Sequence, residues 1–333
     1  MDVDAFIAAH QEEWNRLNSL VRRRGKLSGP EADELVKLYR EVSTHLAIVR
    51  SSAPDPVLVG KLSSLVARAR SVVSGTRDPG WNDVLWFLTV GFPATVYRNR
   101  YWWLGVAAAF VIAAVAVAWW VEATPAVQAT IGAPEEIRQL VEHEFEDYYS
   151  AHPAGSFATQ VWINNAWVAA ACLALGIFLG IPVIYILGVN VMNIAVAAGL
   201  MASAGRLDVF FGLITPHGLL ELTVVLVAAG AGLRLGWTVI DPGSSTRAEA
   251  LAQAGRAAVG MAVGLAGVLL ISGIIEGFVT PSPLPTWGRV GVGVLAEVAF
   301  LTYVWVFGRR AVAAGEVGDL EESLRGSTLP AAA

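Results

Sequence analysis

Residues 101–121 read YWWLGVAAAFVIAAVAVAWWV, a run of 21 residues without a charge. About 20 consecutive apolar residues are enough for an α-helix to cross the hydrocarbon core of a bilayer. Tryptophan pairs lie near both ends of the run, and tryptophan is enriched at the two headgroup levels of a membrane. The stretch therefore predicts a transmembrane helix and indicates a membrane protein.

The composition of the whole chain supports this interpretation. Of its 333 residues, 55% are hydrophobic and 15% are charged, whereas a soluble domain has about 25% charged residues. These proportions exclude a soluble globular enzyme, a disordered chain and a fibrous repeat. The single cysteine, Cys172, excludes an internal disulfide and a cysteine-based zinc site. The 23 lysines and arginines are dispersed, and the net charge of −5 excludes a nucleic-acid partner.

Residues 1–80 contain three runs of apolar residues at the spacing of an amphipathic helix. Proline lies between the runs, in the stretches 28–30 and 53–56, where one helix can end and the next begin. This segment predicts a small helical unit in the cytoplasm. The short apolar stretch 81–97 contains a charge and a proline, which favours a helix in the membrane interface. Residues 311–333 are expected to form a flexible tail.

Further apolar segments predict five more membrane spans. They are residues 163–187, 189–203, 216–237, 257–279 and 288–307. The expected fold is all-α, a polytopic membrane protein with about six transmembrane helices in a domain that covers residues 98–310. The second of these segments is short, and a re-entrant segment that leaves only five crossings is the alternative.

Arginines beside the spans indicate their orientation, because basic residues are enriched in cytoplasmic loops. Six crossings place the two termini and all of the following arginines in the cytoplasm: Arg98, Arg100, Arg234, Arg247, Arg256, Arg309 and Arg310. Five crossings would move the loop 238–256 and the C-terminus outside, so the charges favour six. The segment 122–161, with seven acidic residues and one arginine, is then an insertion on the outer side.

A distinctive polar pattern, TPHGLLEL, covers residues 215–222. Thr215 can cap a helix, and Pro216 can occupy its first turn without loss of a hydrogen bond. His217 and Glu221 are four residues apart and therefore lie on one face of that helix. Since a charged side chain in a membrane span is costly, these residues and other intramembrane carboxylates need a physical reason.

The six-span topology brings polar residues of three helices to the outer ends of the spans. They form the candidate site, a polar cluster for a ligand, an ion or a partner: Asn164, Asn165, His217, Glu221 and Glu276. Purely structural hydrogen bonds between helices are the alternative, and Asn164 and Asn165 can instead cap the start of a helix. Other buried polar residues are expected at Asn190, Asn193 and Glu297, the last of them neutral or bonded to a neighbouring helix.

No motif in the sequence predicts catalysis. A nucleophile elbow, a phosphate-binding loop and a zinc-binding HExxH helix are all missing from it. A metal site would need ligands beyond one histidine and two glutamates, so neither a metal nor a cofactor nor enzyme activity is expected. The spacings Gly176-x-x-x-Gly180 and Gly260-x-x-x-Gly264 permit close helix contact and are compatible with a homodimer.

Several of these motifs occur together in one known family, and the chain resembles the stage II sporulation protein M (SpoIIM) family of integral membrane proteins over residues 6 to about 308. The motifs that carry the resemblance are Leu38-Tyr39-Arg40, His45-Leu46-Ala47, Leu62-x-x-Leu65-Val66-x-Arg68, Asn164-Asn165, Gly176 and Gly180, Asn190, Pro216-His217-Gly218-Leu219-Leu220-Glu221-Leu222 and Glu276-Gly277-Phe278-Val279-Thr280-Pro281. One departure follows Asn190, where the family often has Asn-Gly and this chain has Val191-Met192-Asn193.

The resemblance implies a role in the bacterial cell envelope. In sporulating members the family acts in engulfment, where the protein is thought to recruit or hold peptidoglycan-degrading partners at the septum. Many members from bacteria that do not sporulate are encoded beside MoxR-type AAA ATPases. The resemblance thus implies a scaffold in the plasma membrane whose partners are envelope enzymes or a MoxR-type ATPase.

Two other functions stay open at this point. The His217, Glu221 and Glu276 cluster is compatible with an ion- or proton-coupled transporter or channel, since intramembrane carboxylates commonly relay protons or bind cations. An intramembrane enzyme would use His217 as a base and Glu221 as the group that orients it, although no nucleophile or cofactor motif accompanies the pair.

Overall fold

The computed structural model describes residues 3–23, 27–52, 55–73, 80–145 and 154–316. Within these ranges the chain contains helices and no strand, which confirms the all-α prediction. The chain divides into two compact units, one up to Asp83 and one from Val84.

The first unit contains the three predicted helices. They are α1 (Val3–Arg22), α2 (Gly29–Ser52) and α3 (Pro56–Val73). The start of α2 is held by Glu31, whose Oε2 accepts hydrogen bonds from the Ser28 backbone at 2.9 Å and the Ser28 hydroxyl at 3.0 Å. One apolar face of each helix packs into a shared core, whose most buried members include Leu17, Leu20, Val42, Val49, Leu62 and Ala69. The helical spacing of apolar residues that predicted these helices therefore corresponds to the faces that are buried.

The boundary between the units lies within the short helix α4 (Trp81–Trp86), and a π-helical turn at Phe87–Gly91 joins α4 to α5 (Phe92–Arg98). The first five residues of α5 are all buried. This helix is therefore packed on several sides, whereas a helix lying in the membrane interface would bury only one face. Its location in the interface stays a prediction.

Long helices make up the rest of the second unit. They are α6 (Arg100–Ala123), α9 (Ala154–Leu175), α10 (Ile181–Ser203), α11 (Leu207–Ile240), α12 (Arg247–Ile274) and α13 (Thr286–Tyr303). A π-helical turn at Ile275–Val279 continues α12, and another at Val304–Gly308 joins α13 to the short α14 (Arg309–Ala313). Shorter elements lie between α6 and α9: α7 (Pro125–Ile131), α8 (Pro134–Gln139) and a π-helical turn at Leu140–Glu144.

Five of these segments are long and apolar enough to cross a membrane. Within the described residues they are Arg100–Ala123, Ile181–Ser203, Leu207–Ile240, Arg247–Val279 and Thr286–Ala313. The remaining long helix, α9, packs against α11 and α12 and so belongs to the same bundle. With 22 residues it is about 33 Å long, close to the thickness of the hydrocarbon core. The chain is a multi-pass membrane protein.

The division of residues 163–203 into spans is wrong in the sequence prediction. Helix α9 ends at Leu175, a turn occupies residues 176–180, and α10 then runs unbroken to Ser203. Gly180 adopts a φ of 74°, a left-handed conformation that glycine takes at little cost. Gly188 and Asn190 lie inside α10, and the Asn190 amide donates to the Ile186 carbonyl at 2.8 Å, which satisfies it within the helix.

The role assigned to Gly176 and Gly180 also needs correction. Both glycines lie in the turn, not along a helix face, and the turn is pressed against α11. A Cβ on Gly176 would lie only 2.2 Å from the carbonyl oxygen of Gly232, and a Cβ on Gly236 would lie 2.6 Å from the nitrogen of Gly180. The close approach that the spacing predicted therefore exists, but it is between the turn and α11.

Helix α11 begins nine residues earlier than predicted, at Leu207, so Pro216 lies inside it and Thr215 is not its cap. Proline has no N–H, and the carbonyl four residues earlier loses its helical partner. The helix continues because α13 packs directly on this point: a Cβ on Gly293 would lie 2.4 Å from the Pro216 carbonyl oxygen. Tertiary packing thus stabilises a helix that the local sequence would end.

Candidate functional site

A cluster of one histidine and two glutamates lies inside the membrane bundle. One ligand atom from each of His217, Glu221 and Glu276 lies within 4.8 Å of the others. Nε2 of His217 is 3.6 Å from Oε1 of Glu276, and these two residues are only 5% and 4% exposed. Three groups that can carry a proton or bind a cation therefore face each other away from solvent.

Two elements position these three residues. His217 and Glu221 lie one turn apart on α11, and Glu276 belongs to the π-helical turn that continues α12. In this turn the Thr280 N–H donates to the Ile275 carbonyl at 3.1 Å, five residues back. A π-helical turn inserts an extra residue into the helix and re-aims the side chains that it carries, and such turns are frequent at functional sites.

Two hydroxyl residues that the sequence analysis did not single out complete the surroundings of His217. Nδ1 of His217 lies 3.3 Å from Oγ1 of Thr280, and the Ser272 hydroxyl donates to the His217 carbonyl at 3.0 Å. Both hydroxyl residues are fully buried. Their spacing was the available signal, because Ser272, Glu276 and Thr280 are four residues apart and share one helix face.

The side chains of the two asparagines of the candidate site have different surroundings. The Asn165 side chain lies beside Glu221, and its Nδ2 donates to the Val161 carbonyl at 3.2 Å. Asn164 is exposed on the surface of α9 and does not join the cluster. Both lie well inside α9, which begins at Ala154, so neither caps the start of that helix as the alternative prediction held.

The depth of the cluster also differs from the prediction. Because α11 starts at Leu207, Glu221 is 14 residues into a helix of 34 residues, about 21 Å from its start. On the side of Glu221 toward the start of α11, Phe210 packs in a cluster with Val121, near the end of α6. On the side toward the end of α11, Gly230 packs on Trp103, near the start of α6. Glu221 therefore lies about halfway between the two ends of the bundle.

Glu276 leaves one polar atom without a partner. Its Oε2 is buried, and no described residue forms a hydrogen bond with it. A buried acceptor without a partner costs about 1–3 kcal/mol, so it is the atom at which an added proton or cation would be stabilising. One imidazole nitrogen, two carboxylates and the side chain of Asn165 are a ligand set that a divalent cation can use.

The remaining predicted polar residues do not belong to the cluster. Glu297 on α13 accepts a hydrogen bond from the Thr223 hydroxyl at 2.8 Å, as expected for a carboxyl bonded to a neighbouring helix. Its Oε2 is also buried without a partner among the described residues. Asn190 and Asn193 lie on α10, where Asn193 is exposed.

A second group of titratable side chains, which the sequence analysis missed, lies in the first unit. The rings of His10 and His45 are 4.0 Å apart, and Nδ1 of His10 lies 3.2 Å from a Glu13 oxygen. Trp14 donates from Nε1 to Nδ1 of His45 at 3.3 Å. Burial, and to a smaller extent the charge of His10, lower the pKa of His45 below its usual 6.5. The group therefore links α1 to α2 through a neutral His45.

Comparisons with known proteins agree with the division into two units. A family model described as Stage II sporulation protein M (SpoIIM) matches residues 106–281, just over half of the chain. Residues 4–75 match a different model, described as a domain of unknown function (DUF8413). A search of curated proteins found no match, and neither did a search of solved structures. The SpoIIM match is narrower than the resemblance over residues 6 to 308, since residues 4–75 match the other model and residues 282–308 lie outside the SpoIIM match.

The matched segment runs from within α6 to Pro281 and contains all three cluster residues and Asn165. This chain belongs to the SpoIIM family of membrane proteins.

Proposed function

We propose that this chain is a scaffold of the bacterial cell envelope, in which the membrane bundle anchors the protein and the first unit docks a partner. The observation that carries the proposal is the division of the chain into a membrane bundle and a separate three-helix unit with a core of its own. Family membership supports it, since the resemblance to SpoIIM implies recruitment of envelope partners.

The surface of the first unit suits a partner in water. Ion pairs join its helices on the outside, with Arg16 2.6 Å from Glu34 and Arg23 2.8 Å from Glu31. A hydrogen bond from Arg16 lowers the pKa of Glu34, and bonds from Ser28 and Arg23 lower that of Glu31 to about 2, so both stay charged at neutral pH. Such a charged exterior over a closed core fits a cytoplasmic docking module.

The distribution of arginines supports an orientation with both termini in the cytoplasm. Arg234, near the end of α11, bonds to residues at the junction of α5 and α6, and α14, which begins with Arg309 and Arg310, packs against α5. These basic residues therefore share one end of the bundle, as the rule for cytoplasmic loops requires. The acidic segment 122–161 would then face peptidoglycan-degrading enzymes outside, and the first unit would face a MoxR-type ATPase inside.

Purification from native membranes tests the scaffold. Tagged full-length protein is compared with the surface variant Lys37→Glu/Lys61→Glu, which reverses two exposed charges of the first unit, and with Glu221→Gln. We expect a stoichiometric companion, identified by mass spectrometry, that the surface variant loses and that Glu221→Gln retains. Folded wild-type protein that carries no companion would contradict the scaffold. The same preparations give the stoichiometry of the chain itself and so test the homodimer.

The buried cluster supports a second candidate function, cation or proton transport. The observation that supports it is that His217, Glu221 and Glu276 lie close together about halfway across the bundle. No described residue forms a hydrogen bond with Oε2 of Glu276. Intramembrane carboxylates that face a bundle interior commonly relay protons or bind cations. No catalytic step is proposed, because a base such as His217 would also need a reacting group within hydrogen-bond reach.

Flux measurements in liposomes test this candidate. Wild-type protein should support pH-dependent or cation-dependent flux, and Glu221→Gln and Glu276→Gln should each abolish it. Glu297→Gln is the matched control, because it also removes an intramembrane carboxylate but one that bonds to Thr223 outside the cluster. Equal flux in all four proteins, or none across a panel of monovalent and divalent cations, would contradict transport.

A further inference from the structure

A cavity of about 390 Å³ opens at the end of the bundle where α11 finishes and α12 begins. Its wall comes from three places in the chain: the junction of α5 and α6, the last turns of α11 with the loop that follows, and the first turns of α12. The volume lies within the range of about 300–1,000 Å³ that small-molecule sites occupy. Neither the polar cluster nor the scaffold proposal uses this cavity.

Two arginines line the cavity, Arg98 from the end of α5 and Arg234 from α11. Both side chains line the same cavity, so two positive charges share one space. Nη1 of Arg234 donates to Oδ1 of Asn99 at 3.2 Å and to the Arg98 carbonyl at 3.4 Å, and both acceptors are neutral. Among the described residues of the wall, Asp241 is the single acid beside the two arginines, so this part of the wall carries more positive than negative charge.

The remainder of the wall fits a site at the level of lipid headgroups. Trp102 and Trp237 have ring centroids 6.3 Å apart, and tryptophan concentrates at membrane interfaces. Small apolar residues of α12, among them Ala254, Ala257 and Ala258, leave the space open. Basic pockets between transmembrane helices are a known way to hold lipid headgroups.

We propose that this cavity binds a phosphate group, held by the guanidinium groups of Arg98 and Arg234. Paired guanidinium donors match phosphate oxygens in charge and in the geometry of their hydrogen bonds. The headgroup of an anionic phospholipid and a soluble phosphate offer the same chemistry. Both reach this end of the bundle, one along the bilayer and one from the water.

A purely structural role for Arg234 has a different consequence. Its bond to the Arg98 carbonyl caps the last turn of α5, where a cation is favourable. A cap, however, needs neither a second arginine beside it nor an open cavity in front of it. The two roles are separable because the loss of a cap lowers the stability of the fold, whereas the loss of a phosphate site weakens ligand binding to a protein that is still folded.

Lipid binding to the full-length protein in a non-ionic detergent tests the proposal. Native mass spectrometry measures the binding of dioctanoyl phosphatidylglycerol and of dioctanoyl phosphatidylcholine to wild-type protein, Arg98→Gln/Arg234→Gln and Arg98→Lys/Arg234→Lys. The matched control is Arg309→Gln/Arg310→Gln, which removes two exposed arginines at the same end of the bundle but outside the cavity. Calorimetric titration with inorganic phosphate is the second arm.

We expect the glutamine pair to weaken phosphatidylglycerol binding by about tenfold or more, the scale of one lost charge-assisted hydrogen bond. The control should bind within about twofold of wild type, and the lysine pair, which keeps the charge but loses the paired donors, should bind between wild type and the glutamine pair. Binding of inorganic phosphate with the same arginine dependence, without binding of the lipid, would support the site and identify a soluble ligand. Phosphate and lipid binding that is equal in wild type and the glutamine pair, or equally weakened by the control, would overturn it.

Discussion

Nε2 of His217 lies 3.6 Å from Oε1 of Glu276, although the two residues belong to different helices. The Ser272 hydroxyl, one turn before Glu276, donates to the His217 carbonyl at 3.0 Å and joins the same two helices. Because His217, Ser272 and Thr280 are buried, the pairing of α11 with α12 depends on polar contacts as well as on apolar packing. The first two predictions follow from this arrangement.

Replacement of His217 by alanine should destabilise the bundle. The change removes the partner of Thr280 and of Glu276 and leaves a cavity beside two buried polar groups. We expect a loss of about 1–3 kcal/mol, the usual cost of a buried polar group without a partner, seen as a lower thermal midpoint in detergent. His143→Ala, at an exposed histidine, is the control and should leave the midpoint unchanged.

The glutamine variant of the buried Glu276 should differ from the alanine variant. Glu276→Gln keeps the shape of the side chain and replaces a carboxyl whose buried Oε2 has no hydrogen-bond partner among the described residues, so its stability should stay within about 1 kcal/mol of wild type. Glu276→Ala should lose about 2 kcal/mol or more, because it adds a cavity. The measurement is again thermal unfolding in detergent. A glutamine variant as unstable as the alanine variant would mean that the carboxylate itself holds the helices together.

Glycine substitutions should report the contact of α11 with the last turns of α9 and the turn at residues 176–180 that follows. A Cβ on Gly232 would lie 2.1 Å from the Cys172 carbonyl oxygen, so Gly232→Ala must push two backbones apart and should cost about 1–3 kcal/mol or more. Gly188→Ala is the matched control, since nothing lies within 4 Å of the added methyl group. In a helix interior, that change should be neutral or stabilising by up to about 1 kcal/mol.

The first unit should lose stability in mild acid. Burial lowers the pKa of His45 below 6.5 in the folded chain, so the unfolded chain binds a proton more readily than the folded one. The stability that His45 contributes is therefore complete above about pH 6.5 and declines as the pH falls through that value toward the lower folded pKa. Hydrogen exchange of residues 3–73 in the full-length protein, at pH 7.5 and pH 5, should show faster opening at pH 5.

His45→Gln is the control for this pH dependence. Glutamine offers an acceptor for the Trp14 indole N–H but does not titrate, so the difference in exchange between the two pH values should shrink. Glu31 cannot account for the effect, because its pKa of about 2 places its titration below this range. An unchanged difference in the variant would assign the effect to another group.

Apolar content and periodicity were sufficient to predict the class of this protein. The 21 uncharged residues from 101 to 121 form most of α6, and the three amphipathic runs form α1 to α3, because local hydrophobic pattern decides which face of a helix is buried. Pro134 also marks the start of α8, where Glu136 accepts a hydrogen bond from the Ala133 N–H at 2.9 Å. Each of these sequence signals involves residues that are only a few positions apart in the chain.

Helix ends inside the bundle were not predictable in the same way. Pro216 would end a helix in water, but here α13 packs its Gly293 against the Pro216 carbonyl and α11 continues. The break after Leu175 occurs where Gly176 and Gly180 meet Gly232 and Gly236, residues of another helix. Gly188, at which the sequence prediction divided two spans, lies within a continuous helix, and no described atom lies within 4 Å of a Cβ built on it.

The residues of the candidate site were recognisable from charge alone, since an ionisable group in an apolar run is costly and therefore conspicuous. Their grouping was a matter of tertiary structure. Asn165 meets Glu221 while Asn164 faces outward, and the π-helical turn aims Glu276 at His217. Local sequence determines which residues share a face of one helix, whereas the rotation and depth of each helix depend on how all of them pack together.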